Sequence, residues 1–198
     1  MSLDRFDKQY FDQGCLFLAG ADECGRGCLA GPVAAAAVIL PKDCIIPGLN
    51  DSKKLSAKKR ESLYPVILEQ ALAVGLSFVG PDIIDEINIL QASLRAIGAA
   101  INNLQLRPEI VLIDGRFLPD IDIDAKLQAL PGGDGISQSI AAASVVAKVT
   151  RDRLMVEYAK NYPNYGFDRH KGYATAAHYA ALKEFGPCLL HRRSFRLN

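Results

Sequence analysis

Asp22, Glu23, Asp114 and Asp134 are the residues of this chain best placed to do chemistry. Asp22, Asp114 and Asp134 each end an apolar run or precede a helix, and Glu23 adjoins Asp22. In open α/β sheets ligands gather at strand ends, and apolar strands are neighbours in a core, so acids far apart in sequence can converge there. Unpaired charge beside a core is disfavoured unless a cation neutralises it. Three or four such carboxylates, without clustered His or Cys, suit a hard cation such as Mg²⁺ or Mn²⁺. Two of these ions about 4 Å apart would clamp the attacking and leaving oxygens of a phosphodiester.

Each acid also has a plain structural reading. Asp22 can cap a turn, Asp114-Gly115 is a common turn pair, and Asp134 can cap the helix that follows it. Neighbours on a strand point to opposite faces, so Asp22 and Glu23 share one site only if the chain bends there, as Gly25 and Gly27 would allow. Asp152 lies four residues after Lys148 on a helix and reads as its salt-bridge partner rather than as a metal ligand.

The elements that position these residues follow from periodicity. Residues 15–21 and 32–40 read as buried strands joined by a glycine turn, hence an antiparallel hairpin. Ser56 is a fitting N-cap for a helix to about residue 71. Residues 72–79 read as a strand, Pro81 starts a short helix, and 89–104 form a longer one. Residues 110–113 read as a short strand and 126–130 as another. The longest helix is expected over 137–162, rich in Ala and Ser at its start, and the last over 175–185. Strands alternating with helices give an α/β class with a mixed sheet. Domain limits are placed at 1–162 for the main body and 163–198 for a C-terminal helical extension.

At 198 residues the chain can bury a core unaided. Net charge is +1, but residues 1–147 hold 13 Lys and Arg against 18 Asp and Glu, while 148–198 hold 10 against 4. An acidic body with a basic C-terminal quarter fits a carboxylate metal site beside a phosphate-gripping surface, and chance unevenness is the plain alternative. The five cysteines include no C-x-x-C pair and read as free thiols. The charged N-terminus has no signal-peptide core and the longest apolar run is too short to span a bilayer, so a cytoplasmic protein without membrane contact is expected. No apolar stripe is left for a partner, which predicts a monomer.

Six motifs stand in fixed order: Asp22-Glu-x-Gly-Arg-Gly27, Asp51-Ser-Lys-Lys-Leu55, Ile113-Asp-Gly115, Ala141-Ala-Ala-Ser-x-x-Ala-Lys-x-x-Arg-Asp152, Lys171-Gly-Tyr173 and His191-Arg-x-Ser-Phe195. In these the chain resembles type 2 ribonuclease H, the bacterial ribonuclease HII family, over roughly residues 16–195. The resemblance implies a ribonuclease H-like mixed sheet flanked by helices, with a C-terminal helical extension. It implies cleavage of the RNA strand of RNA–DNA hybrids, and of duplex DNA at a lone ribonucleotide, leaving 5′-phosphate and 3′-hydroxyl ends. It assigns metal binding and catalysis to Asp22, Glu23, Asp114 and Asp134; the mechanism expected from this set uses two Mg²⁺ or Mn²⁺ ions bridged by Asp22.

Gly25, Arg26 and Gly27 resemble the family's sensor of the ribose 2′-hydroxyl, the group that separates RNA from DNA. Tyr173 resembles its stacking tyrosine. Lys53, Lys54, Lys148, Arg192 and Arg193 are candidates for phosphate contacts, and solvated surface charge is the alternative for each. His170, His178 and His191 lack ligand spacing and read as helix-end or phosphate contacts. The chain departs from the family at Cys28 and Gly133, usually Pro and Lys; a looser sensor loop and weaker phosphate binding are the expected consequences. A non-catalytic hybrid-binding module of the same fold is the rival from another class. A junction resolvase of the same superfold would have no use for a 2′-hydroxyl sensor.

Overall fold

A computed structural model describes residues 3–198. Five strands form one mixed sheet: β1 (Leu18–Cys24), β2 (Val33–Ile39), β3 (Ala73–Val79), β4 (Ile110–Asp114) and β5 (Lys126–Leu130). Their order is β3-β2-β1-β4-β5; β1 pairs antiparallel with β2 and parallel with β4. The expected hairpin and mixed sheet are present. The first strand starts later than expected and runs further, because its ladder with β2 continues to Cys24 opposite Ala34. Asp22 and Glu23 therefore lie within a strand rather than beyond its end.

Among the described residues there are six α-helices: α1 (Leu3–Asp12), α2 (Ala57–Gln70), α3 (Pro81–Asn102), α4 (Gln138–Asn161), α5 (Phe167–His170) and α6 (Ala176–Phe185). Ser56, Ser137 and Thr175 cap α2, α4 and α6, each accepting a backbone N–H three residues on. In α3 the two expected helices meet at Asn88, whose φ is 66° and whose side chain accepts the amides of Leu90 and Gln91, capping the second stretch. Ser137, not Asp134, caps α4, because Asp134 sits in a 3₁₀ turn before it.

Helix α3 covers one face of the sheet, with Ile97, Ile101 and Val111 in one cluster. Helices α2 and α4 cover the other, with Ile67, Val38 and Val145. The small residues at the start of α4 let it lie directly on β1. A Cβ on Gly20 would stand 2.1 Å from the main-chain carbon of Ser139. Gly20→Ala is thus expected to force helix and strand apart and cost about 1–3 kcal/mol, read in denaturant melts; an unchanged midpoint would contradict this packing. The charged opening segment gave no expectation of α1. That helix packs Phe6, Tyr10 and Phe11 on Leu18 and Ile140, and Asp7 accepts the amide and hydroxyl of Ser139.

Beyond Asn161 the chain builds a small aromatic core on Met155 of α4, with Ala30, Tyr165, Phe167 and Ala181. This C-terminal stretch returns to the turn after β1 through bridges Cys28–Tyr173 and Ala30–His191.

Candidate active site

The sheet order makes β1 and β4 neighbours, so Asp22 and Asp114 fall side by side. The 3₁₀ turn Gly133–Gly135 brings Asp134 to them, tied down by the Gly133 amide donating to Asp114 Oδ1 at 2.8 Å. One oxygen from each of these three carboxylates lies within 4.8 Å of the others. Asp22 and Asp134 are buried. Burial first, then repulsion from Glu23 and Asp114, holds the Asp22 carboxyl well above its usual range, while Ser144 opposes the shift by hydrogen bonding. Burial and Asp114 likewise raise Asp134. Converging oxygens that repel one another and lack a full complement of cations are a donor set suited to a hard divalent ion.

Glu23 is not in this trio. Its Oε1 accepts from Arg26 Nη1 at 3.1 Å. It still borders the same cavity of about 340 Å³, which Asp22, Gly25, Arg26, Gly27, Lys53, Asp114, Ser144, Lys148 and Tyr173 also line.

Lys53 is exposed and places Nζ 3.4 Å from Asp134 Oδ2. Burial pulls its pKa down, and Asp134, Asp22 and Asp51 more than offset that, so it is held above its ordinary value. Lys53 thus supplies a cation beside Asp134 although position 133 is glycine. Ser52 and Ser144, which carried no role from the sequence, hydrogen-bond each other at 2.8 Å and tie the Lys53 loop to α4. The hydroxyls inside otherwise apolar or basic motifs were the available signal.

Lys148 pairs with Asp152 at 2.8 Å, as the helical spacing predicts, and its Nζ lies 4.9 Å from the centre of the Tyr173 ring. Tyr173 keeps 37% of its surface exposed. Lys148 and Tyr173 also line a second groove of about 450 Å³, with Arg60, Arg153, Arg169 and Lys171 around it. Carboxylates and a basic groove therefore adjoin at one tyrosine.

Three expectations are corrected here. Arg192 cannot contact a phosphate: it is fully buried, and its guanidinium donates to the carbonyls of Gly25, Arg26 and Gly31. Cys28 does not loosen the turn, since its amide donates to Gly25 O at 3.3 Å, a bond proline could not make. The three histidines are not phosphate contacts: His170 ends α5, as a helix-end reading expects, and its ring stacks on His178, which in turn meets His191 at a tilt.

Backbone partners fix the tautomers of that cluster. The Cys188 amide donates to His191 Nδ1, so His191 Nε2–H donates to His178 Nε2 at 3.0 Å, and His178 Nδ1–H donates to the Tyr173 carbonyl. The Gly172 amide donates to His170 Nδ1, leaving Nε2–H for the Tyr165 carbonyl. All three rings are neutral: a proton on His178 Nε2 breaks its bond with His191, and a proton on His191 Nδ1 breaks the bond from the Cys188 amide. Burial first, then the neighbouring rings, pushes His191 down to about 4 and lowers His178. Because these folded values lie below the ordinary 6.5, the stabilisation is whole above about pH 6.5 and is lost toward pH 4. Between pH 7.5 and 4.5 the wild-type melting temperature is expected to fall by about 3 °C more than that of His191→Gln; parallel curves would contradict the neutral chain.

The ribonuclease HII family model matches residues 19–198. A ribonuclease HII of Acetivibrio thermocellus is 51% identical over 193 residues, 98% of this chain and 75% of that protein. The ribonuclease H2 of Pyrococcus horikoshii superposes with a TM-score of 0.74 at 25% identity, covering 91% of this chain and 94% of that one. Bst-RNase HIII in complex with Mn²⁺ shares the fold at a TM-score of 0.73 and 18% identity, over 92% and 68% of the two chains.

Proposed function

The chain belongs to the ribonuclease HII family, and from that premise we propose that it hydrolyses the RNA strand of RNA–DNA hybrids and nicks duplex DNA at single ribonucleotides. The observation that carries this reading is the carboxylate trio, two of whose members, Asp22 and Asp114, line a cavity shared with Gly25, Arg26, Gly27 and Tyr173.

In this reading Asp22, Asp114 and Asp134 hold Mg²⁺ or Mn²⁺, with Glu23 joining when substrate or metal releases it from Arg26. Such ions, when bound, would supply activation of the attacking water and stabilisation of the departing 3′-oxygen, and the products would carry 5′-phosphate and 3′-hydroxyl ends. The chain's own residues do the positioning. The Gly25-Arg26-Gly27 turn meets the ribose 2′-hydroxyl with backbone groups, and Tyr173 stacks on the adjoining sugar. Lys53 and Lys148 neutralise phosphates near the acids, and the basic groove beyond Tyr173 carries the backbone onward. No histidine serves as general base, which suits a reaction whose main demands are alignment and charge neutralisation. The body, residues 1–162, carries the acids, and 163–198 supply Tyr173. The protein acts as a cytoplasmic monomer in this account; among the described residues no helix is long and apolar enough to cross a membrane.

The test is an end-labelled RNA–DNA hybrid incubated with Mg²⁺, with Mn²⁺ or with EDTA. Internal cleavage of the RNA strand with metal, absent in EDTA, is the expected result. Salt-sensitive binding of the hybrid without any cut would instead identify a non-catalytic binding module.

A further inference from the structure

Arg151 and Arg192 head the fully buried side chains of this fold by size. Among the described residues neither forms an ion pair within 4.0 Å of a carboxylate. Burying a guanidinium costs several kcal/mol unless its donors are satisfied. Here they are satisfied by main-chain carbonyls. Arg192 donates to Gly25 at 2.8 Å, Arg26 at 2.8 Å and Gly31 at 2.9 Å. Arg151 donates to Pro32 at 2.8 Å, Ala30 at 3.1 Å and Lys171 at 2.9 Å. The two side chains thus collect the turn after β1 and the segment that carries Tyr173. A Cβ on Gly25 would stand 2.2 Å from Arg151 Nε, so the turn rests directly on that side chain.

The hydrogen bonds have a directional consequence. In a trans peptide the carbonyl and the following N–H point opposite ways. With the Gly25 and Arg26 carbonyls drawn inward to Arg192, the amides of Arg26 and Gly27 face away from it, on the side where these residues line the cavity. A methyl at Gly27 meets nothing within 4 Å, so this side is open to a ligand.

We propose that Arg192 and Arg151 are positioning residues for sugar selection: they orient the Arg26 and Gly27 amides and hold Tyr173 opposite them, so that both engage one ribose. This rests on the reading above that the turn meets the 2′-hydroxyl. Purely apolar residues could fill the same volume, but they could not draw three carbonyls inward.

The test compares wild type with Arg192→Lys and Arg151→Lys. It reads the inhibition constant of an all-DNA duplex divided by KM for the same duplex carrying one ribonucleotide. That ratio does not depend on the fraction of protein folded. A drop of about tenfold in Arg192→Lys, with the Mg²⁺-induced melting shift retained, is the expected result. A folded variant that does not cut is read through direct binding of the two duplexes by fluorescence anisotropy. An unchanged ratio in variants that merely melt earlier, or loss of cooperative melting in both, would assign the arginines to folding alone and overturn the proposal. Failure of the wild type to nick the single-ribonucleotide duplex would instead overturn the functional reading beneath it.

Discussion

Asp114→Asn is expected to lower kcat about a thousandfold at saturating Mg²⁺ while leaving the protein folded. Its carboxylate is one of three whose oxygens converge within 4.8 Å, and it also receives the Gly133 amide that sets the Asp134 turn. An amide keeps that acceptor yet removes a full negative charge from the cation site, so the loss falls on the transition state rather than on folding. The apo protein reports the same repulsion. Asp22 has its pKa raised in the folded state, so its ionisation weighs against folding as pH rises through that value. A divalent ion relieves this cost. With millimolar affinity, 10 mM Mg²⁺ adds about 1.4 kcal/mol, or roughly 3–6 °C of melting temperature. The shift should grow as rising pH takes the proton from the raised Asp22 carboxyl, and vanish in Asp22→Asn. Wild-type turnover by Asp114→Asn would remove the carboxylate trio from the reaction.

Gly27→Ala is expected to melt like the wild type and yet cut a single-ribonucleotide duplex about 100-fold more slowly. The two sensor glycines are held for different reasons. Gly25 has φ +97° and rests against Arg151, so a side chain there strains the fold itself. Gly27 has no such backbone demand, its added methyl would meet nothing within 4 Å, and the residue itself lines the cavity. A glycine that the fold does not require points to a ligand that does. Displacing a sugar by the width of a methyl is enough to cost about two orders of magnitude in a step that depends on alignment. Equal rates for Gly27→Ala and wild type would place the ribose elsewhere.

How far the sequence reached depended on whether a feature is local. Strand and helix periodicities and the cap Ser56 are written in neighbouring residues, and they matched the fold. So did the break in α3, where the expectation of two helices met Asn88. The convergence of Asp22, Asp114 and Asp134 was accessible because each adjoins an apolar run. Glu23 was harder: only the β1–β2 register shows that the strand continues past it, and only the structure shows its carboxylate engaged by Arg26. The roles of Arg192 and the histidines were beyond reach, since an arginine in a basic tail reads as a surface charge until tertiary packing closes over it. Helix α1 hid behind its charges, although Phe6, Tyr10 and Phe11 were the apolar signal for it.

The most direct measurement is cleavage of an end-labelled DNA duplex carrying one ribonucleotide, with Mg²⁺, with Mn²⁺ and with EDTA. This account expects one metal-dependent nick on the 5′ side of the ribonucleotide, with 5′-phosphate and 3′-hydroxyl ends. Cleavage of long hybrid with this duplex left intact would contradict the sensing role of Gly25, Arg26, Gly27 and Tyr173; a nick that persists in EDTA would contradict the metal site.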